Sequence, residues 1–249
     1  MATILRPQFA KPARAKPRLF LTSGWYALGL FLLAIVAFWK PFVVKLPFNA
    51  EFWVYVHAAG VITWMLLLVS QPLLIRAGKR SLHRRIGKVS YGLVPFIVVG
   101  SLMLAHHRML TTPPAELADE IRGFYLPFIA DVLFVTCYTL AIVHRKNAFL
   151  HPRYMIATAL PLIDPVTFRL LQFYTSLPPN IILFPAIGYG ITDAVLLLLI
   201  WLDRNEPKGR RAFLQLLPIF VIGHLGWFTL GQTQPWFQFA SWFRALPLP

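Results

Sequence analysis

Imidazoles are the side chains of this chain best suited to chemistry. Seven histidines are present, and along the apolar runs six of them fall at two depths. His57 lies with His106 or His107 toward one end, and His83 with His144 or His151 toward the other. Paired imidazoles from different helices, near the two faces of a membrane, are what two b-type hemes require. On this expectation His83 and His151 are the inner ligands, with His144 as the substitute, and His57 and His106 the outer ones, with His107 as the substitute. Gly60 and Gly87 then leave room for the flat macrocycle. Arg84, Arg85 and Arg153 hold its propionates by charge-assisted hydrogen bonds. Heme b is thus the expected cofactor, with no metal beyond its iron, and a quinone or another membrane redox protein the expected partner; histidines serving simply as polar anchors at the membrane faces are the plainer alternative.

A second set consists of ionisable residues inside apolar runs: Asp131, Asp164, Arg169, Asp193 and His224. An unpaired charge in hydrocarbon is costly, so such groups pair or line an aqueous cavity. Asp131 and Arg169 share an outer depth and are expected to pair. Asp164, Asp193 and His224 fall near the middle of three consecutive runs, where proton relays and ion sites are built; a buried hydrogen-bonded network is the plainer alternative. His57, Trp64 and Gln71 recur every seven residues, placing them on one helix stripe, either an interhelical seam or a ligand face. No phosphate-cradling glycine loop, paired-cysteine motif or zinc-protease motif is present. Cys137 stands alone in an apolar run, and Ser101 has no acid in its own helix, so catalytic residues are not identified.

The elements that position these groups are membrane spans. Of 249 residues, 57% are hydrophobic and 13% charged, against roughly 25% charged in soluble domains. This excludes a water-soluble globule, a disulfide scaffold and a disordered chain. About 20 apolar residues cross the hydrocarbon core, and spans are expected near 23–43, 53–75, 89–107, 124–143, 154–173, 181–202 and 212–231. The fold class is an all-α, polytopic transmembrane bundle. A basic tail occupies 1–22, the helical domain 23–231 and an aromatic-rich interfacial tail 232–249. The net charge of +15 marks topology rather than nucleic-acid binding: 18 of the 24 Lys and Arg lie in the tail and in the segments after spans two, four and six. Positive loops face the cytoplasm, which puts the N-terminus inside and the C-terminus outside.

One resemblance emerges from these residues. The helix with His57 and Gln71, then His83-Arg84-Arg85-Ile86-Gly87-Lys88, then His151-Pro152-Arg153-Tyr154-Met155 followed by Arg169, resembles a predicted bacterial membrane-protein family of unknown function. The likeness covers roughly 53–172, with Tyr154 where tryptophan is expected, and implies no established activity. The depth grouping of the histidines is similar in arrangement to diheme b-type transmembrane cytochromes. The expectation is therefore a multi-pass protein of the bacterial inner membrane, in contact with the lipid bilayer, that carries electrons through heme or quinone. The rival readings are a proton- or ion-coupled transporter using Asp164, Asp193 and His224, and an accessory subunit of a larger or oligomeric complex.

Overall fold

The structure is a computed structural model describing residues 18–45 and 51–249; the basic tail expected over 1–22 lies mostly outside them. Eleven α-helices follow: α1 (Arg18–Trp39), α2 (Phe52–Arg76), α3 (Arg80–Gly87), α4 (Ser90–Thr111), α5 (Leu117–Gly123), α6 (Tyr125–Val143), α7 (His151–Ala157), α8 (Ile163–Tyr174), α9 (Leu183–Leu202), α10 (Arg211–Phe228) and α11 (Gln234–Arg244). There is no strand among the described residues. Among the described residues seven segments are long and apolar enough to cross a membrane, and together they form an all-α transmembrane bundle. Its outward side chains agree: Ile222 is 70% exposed and Leu225 55%, a surface that water penalises and hydrocarbon does not.

The spans form a closed ring. In spatial order α1, α2, α4, α6, α10, α9 and α8 each pack on the next, and α8 returns to α1. Close approach of α2 and α4 depends on two glycines: a Cβ on Gly60 would lie 2.9 Å from Ile97, and one on Gly100 3.2 Å from Val56. Small residues at such crossings let dispersion contacts hold helices together in lipid. Between α2 and α3 the chain reverses at Gly78, whose φ of +74° is the left-handed conformation favoured by glycine.

Proline acts differently in different spans. Pro72, Pro95 and Pro218 sit inside continuous helices. The fifth span is broken instead: α7 ends at Ala157, a 3-10 turn covers Leu160–Leu162, and α8 starts at Ile163. Pro161 and Pro165 have no N–H, so the carbonyls four residues earlier lose their helical donors. The halves also have different neighbours, α7 packing on α6 and α10, and α8 on α9 and α1.

The C-terminal segment is more than an interfacial belt. Helix α11 buries Trp236, Ala240 and Phe243 against α4 and α5. It is pinned by Arg244 Nε donating to the Met109 carbonyl at 2.8 Å and by His106 Nε2 at 3.1 Å from the Leu246 carbonyl.

Candidate functional site

Asp164 stands in the first turn of α8, immediately after the break in the fifth span. Its Oδ1 accepts a hydrogen bond of 2.5 Å from the Thr192 hydroxyl of α9. Its Oδ2 lies 3.7 Å from His224 Nε2 of α10. On the far side of the same imidazole, Nδ1 is 3.0 Å from Asp193 Oδ1. One imidazole therefore bridges two carboxylates from two other spans. Burial is deep, with 3% of the His224 side chain exposed, 14% of Asp164 and 24% of Asp193.

Packing fixes the imidazole. The Tyr189 ring stacks on it, centroids 4.2 Å apart, and Phe220 meets it edge-on at 5.7 Å. Tyr125 donates its hydroxyl to the Gly223 carbonyl at 2.9 Å, beside His224. Gly188 of α9 faces the Asp164 backbone, where a Cβ would sit at 3.5 Å in ordinary contact. The Tyr189 hydroxyl and His224 Nε2 are buried with no hydrogen-bond partner among the described residues.

Charge counting shows what the cluster can do. Among the described residues no Lys or Arg forms an ion pair with either carboxylate. With His224 protonated the cluster carries net charge −1, and one further proton makes it neutral. In hydrocarbon the neutral form is the inexpensive one, so the cluster is suited to bind and release a proton. Sequence depth grouped Asp164, Asp193 and His224; Thr192 and Tyr189 were missed, having no signal beyond proximity to Asp193.

At the basic end, His83 and His151 come together with ring centroids 6.5 Å apart. His151 Nδ1 is 2.9 Å from the Ala141 carbonyl, an anchor that leaves Nε2 for a ligand. Gln71 lies beside this pair, with His83 against its backbone; both its amide atoms, and His83 Nδ1, are buried without partners. His144 stacks on Tyr154 at 5.6 Å instead. Gly87 is open enough that a Cβ would meet only Gln71 Oε1, at 3.7 Å. Arg84 and Arg85 are exposed on α3.

Other expected roles do not survive the geometry. Arg153 is fully buried and bound to Asp203 by two donors, with its third on the Phe149 carbonyl, so it is not free for a propionate. The space expected beside Gly60 is filled by Phe96 and Ile97. His106 is buried under α11, with Phe243 against its ring at 5.4 Å and Nε2 at the Leu246 carbonyl, and His107 pairs with Glu51 at 3.2 Å. His57 packs against Ile97 and Gly100, and Trp64 against Phe134 and Tyr138. Asp131 and Arg169 form no ion pair: Asp131 lies beside Ser101, while Arg169 donates to Gln172 at 2.8 Å, faces the rings of Phe38 and Phe168, and feels the charges of Arg108 and Glu120. Similar positions along two spans did not make these residues neighbours.

No known protein family matches the chain, and neither does any curated protein or solved structure.

Proposed function

We propose that this protein is a proton-coupled transporter of the bacterial cytoplasmic membrane, with its basic end in the cytoplasm. The observation that carries the reading is His224 held between Asp164 and Asp193 at the break in the fifth span. Discontinuous helices near the middle of the membrane are where secondary transporters build substrate and ion sites. Here the chain interrupts a span and puts a carboxylate at the interruption, opposite an imidazole. Thr192 orients Asp164, Tyr189 holds the ring plane, and the proton is shared among Asp164, His224 and Asp193.

Two measurements test this. Infrared difference spectra across a pH step should contain buried carboxyl signals that Asp164→Asn and Asp193→Asn each remove in part. In liposomes carrying a pH-sensitive dye, an imposed potential should drive proton movement that Asp164→Asn and His224→Gln abolish while both variants stay folded. Spectra unchanged by either Asp variant would overturn the reading.

A second reading, electron transfer through one b-type heme, is favoured by the 6.5 Å separation of His83 and His151. His83 and His151 come from two different helices and would be the residues to hold the iron of such a heme. A bare ion needs more ligands, and no group of three or more His, Cys, Asp or Glu suited to a metal occurs among the described residues. The donor set therefore fits a bis-histidine heme at the basic end, with Arg84 and Arg85 near for propionates. Such a heme would supply a one-electron centre exchanging with a membrane quinone. A second heme does not fit, because His106 is committed to Leu246. Protein purified from a heme-replete host should then give a reduced-minus-oxidised spectrum that His83→Ala and His151→Ala each abolish; folded wild-type protein without that absorbance would exclude it.

A further inference from the structure

The loops at the basic end contain cations that neither the carboxylate cluster nor the imidazole pair uses. Two shallow, open hollows lie there side by side on the surface, with Asn147 and Phe149 as their shared wall. His144 and Lys146 line the first, Lys208 and Arg211 the second, and no Asp or Glu lines either. Lys208 Nζ stands 5.4 Å from the centre of the Phe149 ring, so the ridge between the hollows carries charge as well.

This wall is built rather than incidental. Asn147 Oδ1 accepts the backbone N–H of Phe149 at 2.9 Å and that of Leu150 at 3.2 Å, fixing the turn before α7. The Phe149 carbonyl accepts from Arg153, and the same guanidinium binds Asp203, in the loop that carries Lys208. Gly209 packs directly on the guanidinium, where a Cβ would collide with it. The buried pair thus ties the α6–α7 loop to the α9–α10 loop, holding the two cationic hollows at a fixed spacing. It also occupies Asp203, one of the two acids in the second loop.

Cations held together without a facing acid select an anion. At the end of a membrane bundle the anion at high local concentration is lipid phosphate, and basic pockets at this position bind lipid headgroups. Two hollows with one wall in common call for two phosphates joined by a short bridge. We propose that this double hollow is the headgroup site of a diphosphatidylglycerol, one phosphate at Lys146 and Asn147 and the other at Lys208 and Arg211.

Native mass spectrometry of the detergent-purified protein tests the assignment against phosphatidylglycerol at matched phosphate and against inorganic phosphate. One diphosphatidylglycerol should be retained per chain under collision energies that strip phosphatidylglycerol, and inorganic phosphate should not displace it. Lys146→Gln with Lys208→Gln should weaken retention roughly thirtyfold, at about 1 kcal/mol per cation, with the melting temperature in lipid-free detergent unchanged. Arg84→Gln with Arg85→Gln, cations outside the hollows, should leave retention intact. Equal retention of phosphatidylglycerol, displacement by inorganic phosphate, or an equal loss in the Arg84 and Arg85 variant would overturn the proposal. Retention that persists in the lysine variant would do the same.

Discussion

Replacing Asp203 by Asn tests an ion pair with both partners buried. The Arg153 side chain is 0% exposed and that of Asp203 3%, so neither charge is screened by solvent. The substitution keeps volume and shape but leaves a buried guanidinium without its counter-charge, at about 3–5 kcal/mol. For a chain of this length, where 1 kcal/mol moves the midpoint about 2–4 °C, the expected fall is roughly 6–20 °C. Thermal unfolding in detergent, followed by intrinsic fluorescence, reads it directly. Replacing both partners by apolar residues, Arg153→Met with Asp203→Leu, removes both charges and leaves chiefly the Phe149 carbonyl without its donor, about 1–3 kcal/mol. The double variant should therefore melt above Asp203→Asn. An Asp203→Asn midpoint within about 2 °C of wild type, less than 1 kcal/mol on that scale, would refute the reasoning. So would a double variant less stable than the single one.

Gly226→Ala should lower the melting temperature, because its Cβ would collide with the Tyr125 hydroxyl; combining it with Tyr125→Phe should restore part of the loss. Asp131→Asn and Arg169→Gln should be additive to within about 0.5 kcal/mol in a double-mutant cycle, as expected for groups without direct contact; a larger coupling would contradict their separation. Thr192→Val removes the hydroxyl bond to Asp164 and should slow proton movement in liposomes about tenfold, equivalent to 1.4 kcal/mol, while Thr192→Ser keeps the wild-type rate.

The spans were legible because hydrocarbon imposes one rule on every residue facing it, and apolar length records that rule directly. Depth was legible as well: position along a span located Asp164, Asp193 and His224 at one level, and His83 and His151 at another. Azimuth was not. Asp131 and Arg169 were expected at one depth yet face different neighbours, Ser101 for one and Gln172 for the other. Arg153 read as a surface cation because its loop is basic, and only the approach of the α9–α10 loop makes Asp203 its partner. Pro161 and Pro165 were visible, but continuous helices around Pro72, Pro95 and Pro218 carry the same local signal. What differs in the fifth span is two prolines one turn apart, so two successive rungs are lost. Helix α11 was hidden because an aromatic segment at a chain end reads equally as a belt in the lipid headgroups.

The interruption between α7 and α8 has a mechanical consequence. A continuous span transmits a tilt from end to end through its ladder of backbone bonds, but this one hands the load to a 3-10 turn. The half at the basic end packs chiefly on α6 and α10 and the other half on α9 and α1, with α1 touching both, so a tilt of one half is passed to the other through side-chain packing and not through a backbone ladder. Asp164 stands at the start of α8, whereas Asp193 and His224 sit on α9 and α10, which pack on each other. Rotation of α8 about this turn would therefore change the 3.7 Å His224–Asp164 distance before the 3.0 Å contact between His224 and Asp193.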